Sequence, residues 1–166
     1  IFLEQQEKDV ENINLVTPTS YALHIIEAIK QAKSKGLVIP IVYNTNGYEN
    51  VETLKLLEGY IDIYLPDFKY AINELGKKYS KVDNYFEVAI AAIKEMYKQV
   101  GKPKFDKNNI IKKGVIIRHL VLPNHIENSK KVLRWIKNNL ESDIYISIMA
   151  QYFPTYKSKE YEKINR

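Results

Sequence analysis

Five short polar clusters hold the residue types that chemistry needs: Thr17-Pro18-Thr19, Asn44-Thr45-Asn46-Gly47, Pro66-Asp67-Phe68-Lys69, Pro123-Asn124-His125 and Gln151-Tyr152. Asp67 and Lys69 form the sharpest pair. Two residues apart on an extended segment, they project to the same side, so an acid and an amine meet at one site, as a zwitterionic ligand requires. The plainer alternative is a salt bridge that ties the loop. Lys69 is also a candidate Schiff-base amine in a lyase or aldolase-like barrel. That chemistry needs an amine stripped of its proton by burial or a neighbouring cation, and Asp67 opposes it.

Asn44, Thr45 and Asn46 supply amides and a hydroxyl beside the flexible Gly47, a set suited to ribose or another polar ligand edge. No Gly-x-Gly-x-x-Gly or Walker pattern is present, so a cradled di- or triphosphate is not expected. Arg118 and His119 are neighbours in an apolar run and must face opposite sides of a strand. A buried guanidinium needs an anion, here Asp67 or a ligand carboxylate. His24, His119 and His125 lack metal-site spacing, so no metal site is expected from them; His125, in a loop, is the one of interest. The 166 residues include no cysteine, which excludes disulfides, a thiolate zinc site, a cysteine nucleophile and a thiolate-held iron–sulfur cluster within these residues.

The elements that must position these groups alternate. Strand-like runs at 12–16, 38–43, 61–65, 114–122 and 144–150 are separated by helical periods at 21–35, 51–58, 85–100 and 129–140. In the first helix Leu23, Ile26, Ile29 and Ala32 recur at helical spacing; Leu54 and Leu57 mark the second, and Ala89, Ile90, Ile93, Met96, Tyr97 and Val100 the third. Nearly continuous apolar strands alternating with helices imply an α/β fold with a parallel sheet, either open and doubly wound or part of a β/α barrel. Five strands are too few to close a barrel of eight. The basic stretch from Lys102 to Lys113 reads as a loop, and the tail from Gln151 as polar and aromatic.

With 45% hydrophobic residues, and 25 Lys+Arg against 20 Asp+Glu, the chain is expected to form one globular domain over residues 1–166. The net charge of +5 is almost all lysine, since Arg118, Arg134 and Arg166 are the only arginines. Lysines interspersed with acids read as a solvated surface, not a nucleic-acid face. No membrane span or signal segment is expected, which makes a soluble cytoplasmic protein the default. Residues 1–8 look like the last turns of a helix with no capped start, so a preceding strand is expected to be absent and the chain to be a fragment. That would leave an unpaired edge at Asn12–Val16, prone to self-association.

The five polar clusters sit within longer blocks. These are Asn12-Ile-Asn-Leu-Val-Thr-Pro-Thr19, Ile39-Pro-Ile-Val-Tyr-Asn-Thr-Asn-Gly-Tyr48, Asp62-Ile-Tyr-Leu-Pro-Asp-Phe-Lys-Tyr70, Ile117-Arg-His-Leu-Val-Leu-Pro123 and Ser147-Ile-Met-Ala-Gln-Tyr-Phe-Pro154. In this order they resemble radical S-adenosylmethionine proteins of the pyruvate formate-lyase activating enzyme-like group. The resemblance implies a partial, TIM-like β/α barrel of six parallel strands, of which this chain matches strands two to six. It implies a [4Fe–4S] cluster on a Cys-x-x-x-Cys-x-x-Cys loop after the first strand, absent from this chain. It also implies cleavage of S-adenosylmethionine to a 5′-deoxyadenosyl radical that abstracts hydrogen.

Carried over by position, the resemblance makes Thr17, Thr19, Asn44, Thr45, Asn46, Asp67, Lys69, Arg118, Gln151 and Tyr152 cofactor-binding residues. No residue of the fragment is assigned a catalytic or metal-binding role. Thr17-Pro18-Thr19 replaces the Gly-Gly-Glu that usually grips the cofactor's amino group, and Gln151-Tyr152 stands where a histidine often lies near the adenosine. A glycyl-radical enzyme or another protein substrate, with flavodoxin or ferredoxin as electron donor, would be the partners of the full-length protein. The fragment alone is expected to be inactive. A non-catalytic module that binds a nucleoside-like ligand or a partner protein is the further alternative.

Overall fold

The computed structural model describes residues 1–165. Five strands run parallel: β1 (Ile13–Val16), β2 (Ile41–Thr45), β3 (Ile63–Pro66), β5 (Ile111–Leu120) and β6 (Tyr145–Met149). The two-residue β4 (Lys104–Phe105) pairs antiparallel with the start of β5. In register, Val42 lies between Asn14 and Ile63, and Asn44 between Val16 and Leu65. The chain order of the parallel strands is also their spatial order. Crossovers between parallel neighbours keep one hand, so a sheet built in one direction receives all its helices on one face. A doubly wound sheet reverses direction at a switch point, and no reversal occurs among the described residues.

The covered face is read from the core. Ile41 and Tyr43 of β2, Tyr64 of β3, and Val115 and Ile117 of β5 join α2 (Ala22–Ser34), α3 (Val51–Leu56), α5 (Tyr85–Val100) and α6 (Ile126–Asn139) in one apolar cluster. Helix α2 contributes Ala22, Ile26, Ile29 and Ala32, while Leu23 is two-thirds exposed, one step off the buried stripe. The Leu54 and Leu57 pair is fully buried, and α5 buries Ala89, Ala92, Ile93, Met96 and Val100 against β3 and β5. Asn50 caps α3 by accepting from the amides of Glu52 and Thr53, which contributes about 1 kcal/mol.

Several boundaries differ from expectation, each for a local reason. The second strand begins at Ile41 because the amides of Val38 and Ile39 donate to Gln6 Oε1 of α1 (Phe2–Gln6), and Asp62 Oδ2 takes the amide of Ile41. The basic stretch expected as a loop is a hairpin. Asp106 Oδ1 accepts from the amides of Asn108 and Ile110, and Asn109 takes a left-handed φ of 62°, so the turn pairs β4 with β5 from Ile111 onward. Between β3 and α5 lies a short α4 (Asn73–Leu75) that continues as a π turn, Gly76–Ser80. Helix α6 starts three residues early, at Ile126, and the tail holds a 3-10 turn, Tyr156–Glu160. No helix among the described residues is long and apolar enough to cross a membrane.

Gly47, in the turn after β2, has φ 80°, and a Cβ there would stand 1.9 Å from the carbonyl oxygen of Asp67. Backbone meets backbone, so nothing can swing away. Gly47→Ala should destabilise the fold by about 3 kcal/mol, the sum of left-handed strain and the clash, read as a lowered urea midpoint.

Candidate functional site

The uncovered face of the sheet carries the polar residues. The ladder runs past the strand ends: the amide of Thr17 donates to Asn44 O, that of Asp67 to Thr45 O and that of Phe68 to Arg118 O. These bonds hold the C-terminal ends of β1, β2, β3 and β5 level. Arg118 Nη2 then donates to Asp67 Oδ1 at 2.7 Å and to Asn44 Oδ1 at 2.8 Å, and Lys69 Nζ lies 3.7 Å from Asp67 Oδ2. Four of the expected residues thus form one chain, Asn44–Arg118–Asp67–Lys69, across three strands. The anion for Arg118 is Asp67, and the acid and amine two residues apart lie on one side, where they form the ion pair expected as the plainer alternative. Arg118 Nε is buried with no acceptor among the described residues. Ser147 lies in register beside Arg118 on β6, a neighbour that local spacing does not reveal.

Thr19 and Thr45 do not join this face. Thr45 shares the helix side of β2 with Ile41 and Tyr43, since side chains alternate along a strand. There Thr45 Oγ1 and Thr19 Oγ1 both donate to Glu49 Oε1, and Tyr43 OH donates to Thr19 Oγ1. Burial pushes the Tyr43 hydroxyl up to about 12, against the bond to Thr19, with the charge of Glu49 adding to the rise. Asn46 is exposed, and its side chain closes the turn by accepting from the amide of Tyr48. Thr17 is exposed with φ 52°, a strained setting for a β-branched residue. Gln151 is exposed, whereas Tyr152 is half-buried with its hydroxyl unpartnered among the described residues.

Tyr85 and Asn128 hold the site together without standing out in the sequence. Tyr85 OH lies 3.0 Å from the carbonyl oxygens of Asn46 and Asp67, to which it donates, and accepts from the amide of Lys69 at 3.1 Å. One buried hydroxyl therefore joins the turns after β2 and β3, and burial pushes it above the ordinary tyrosine range. Asn128 takes the amide of Ala71 and donates to the carbonyl of Lys69. On the helix side of β5, fully buried His119 bridges Phe68 O at 2.7 Å and Ser129 Oγ at 2.8 Å. Desolvation lowers its pKa, outweighing the bond to Phe68. Neutral His119 then donates to the Phe68 carbonyl and accepts from Ser129.

Beside Asp67 and Lys69 opens a cavity of about 650 Å³, floored by Leu120 and Met149 and closed by residues 152–164. His125 does not line it but supports its wall: Tyr79 OH and His125 Nε2 are 2.8 Å apart. The described residues contain no group of three or more His, Cys, Asp or Glu able to hold a metal.

No family model matches the chain. An uncharacterized protein of Methanocaldococcus jannaschii is 38% identical over 161 residues, which cover 94% of this chain and 42% of that protein. The chain thus spans about two fifths of the length of the curated relative it matches. Among solved structures, the crystal structure of a domain of pyruvate-formate lyase-activating enzyme from Bacteroides vulgatus overlaps it with a TM-score of 0.47. The identity is 15%, over 84% of this chain and 98% of that one.

Two outcomes are expected. Tyr85→Phe leaves the Lys69 amide without its acceptor and should cost about 1 to 3 kcal/mol, measured by urea unfolding. His119 carries a folded pKa below the unfolded 6.5, so the unfolded chain takes up the proton first on acidification. The stability His119 provides is complete above about pH 6.5 and is lost as pH falls through its folded value. His119→Gln should flatten the fall in urea midpoint between about pH 7 and pH 5.

Proposed function

We propose that this chain is the S-adenosylmethionine-holding body of a radical S-adenosylmethionine protein of the activating enzyme-like group, a partial barrel whose first strand lies outside these residues. The observation that supports the reading is the chain Asn44–Arg118–Asp67–Lys69 on the open face of a singly wound sheet. It joins residues from three of the five ordered blocks. Lys69 is half-exposed and can meet the methionyl carboxylate, and Asp67 Oδ2 the methionyl ammonium. Asn44 gives its carbonyl oxygen to Arg118, which leaves its amide nitrogen to donate to a ribose hydroxyl.

The residues present do not fit an iron–sulfur cluster, since the chain has no cysteine; its ligands would come from outside this sequence. What these residues do in the proposed protein is bind and orient. Arg118 holds Asp67 against Asn44, Tyr85 fixes the backbone around Asp67 and Lys69, and the level strand ends present the four side chains together. The same arrangement disfavours Lys69 as a Schiff-base amine, because its amine is already turned to the Asp67 carboxylate, 3.7 Å away.

Isothermal titration of the chain with S-adenosylmethionine tests the reading. Binding is expected, weakened about tenfold by Asp67→Asn, a loss of about 1.4 kcal/mol. Absence of binding at millimolar ligand overturns it. Adenosine binding as tightly as S-adenosylmethionine would replace it with a nucleoside-binding module, and borohydride trapping of a carbonyl compound on Lys69 with a lyase.

A further inference from the structure

The cavity beyond Asp67 and Lys69 has a chemistry of its own. Its lining includes three lysines, Lys69, Lys81 and Lys157, and one carboxylate, Asp67. That carboxylate is already engaged by Arg118 at 2.7 Å and Lys69 at 3.7 Å, so the space beyond it is cationic. Its floor is apolar, Leu120 and Met149 lying in register on β5 and β6, and its sides are the rings of Tyr70, Tyr79 and Tyr152. The Tyr152 hydroxyl is buried with no partner among the described residues, a cost that an oxygen acceptor on a ligand would remove.

The roof is docked. Ile164 is buried, Tyr161 packs edge-on against Tyr79 at 5.1 Å, and Asn124 Nδ2 donates to the carbonyl of Lys163. Lys81 Nζ donates to Tyr161 OH at 3.0 Å, fastening the roof to the segment after the π turn. The space left beneath these residues is about 650 Å³, the size of a small-molecule site.

We propose that the cavity binds a small anion on an aromatic or apolar body, a carboxylate or a phosphate ester. We further propose that this ligand, not a glycine within a polypeptide, is the substrate class served by the face that holds S-adenosylmethionine. The second statement rests on the function proposed above; the first does not.

The chain is titrated by calorimetry with phenylacetate, phenyl phosphate, neutral phenylacetamide and blocked Ala-Gly-Ala peptide, and separately with S-adenosylmethionine. Either or both anions are expected to bind about tenfold more tightly than the amide, and which of them does so identifies the acid group. Lys157→Gln and Lys81→Asn, the latter keeping a residue that tolerates the left-handed φ of 61° at that position, should each weaken the anion several-fold. Both should leave S-adenosylmethionine affinity within about twofold. Equal binding of amide and anion, indifference to both lysine variants, or binding of the peptide in preference to the anions overturns the proposal. Anion binding without S-adenosylmethionine binding preserves the cavity assignment and removes the radical reading.

Discussion

A guanidinium set inside the end of a sheet must be neutralised, and Arg118 organises this molecule around that need. Its charge is met by Asp67 at 2.7 Å and by the carbonyl oxygen of Asn44 at 2.8 Å. Satisfying it therefore requires β2, β3 and β5 to end at one level. Removing one partner of such a pair costs more than the pair itself contributes, because the other charge is left without an answer. The interaction fixes register and placement more than it adds stability, and the backbone bonds from Thr17, Asp67 and Phe68 run in the same register.

Behind the sheet a second layer holds the loops that carry the site. Tyr85 of α5, Asn128 of α6 and His119 of β5 bond to the backbone of residues 46 and 67–71 and hold the loops from beneath. Gly47 belongs to the same arrangement, since its lack of a Cβ lets the turn after β2 lie on the carbonyl of Asp67. The Thr19–Thr45–Glu49 cluster is a separate buried knot on the helix side.

The division of the sheet into a covered and an open face gives the geometry its functional sense. Helices on one side leave the other open, and the strand ends place an acid, an amine, an amide and a guanidinium there. The docked tail adds a cationic, tyrosine-lined chamber beside them. The two proposals set a zwitterion and an anion with an apolar body side by side on these surroundings.

Local periodicity determined much of this. The five parallel strands, the four main helices, the shared side of Asp67 and Lys69 and the opposed sides of Arg118 and His119 all follow from repeats of 2.0 and 3.6 residues, which a chain shows without knowing its partners. The same alternation implies that Asn44 and Thr45 part company. Which of them meets a ligand was decided only when the helices covered one face, and Thr45 with Thr19 fell on that side. The hairpin at Lys104–Ile111 escaped because a two-residue strand has no period to read, and its turn is held by one aspartate. Tyr85 looked like one more helix residue, and the tail from Gln151 had no period, so their roles appeared only in contacts between distant segments. Register and long-range docking belong to pairs of segments, and only the tertiary structure fixes the pairs.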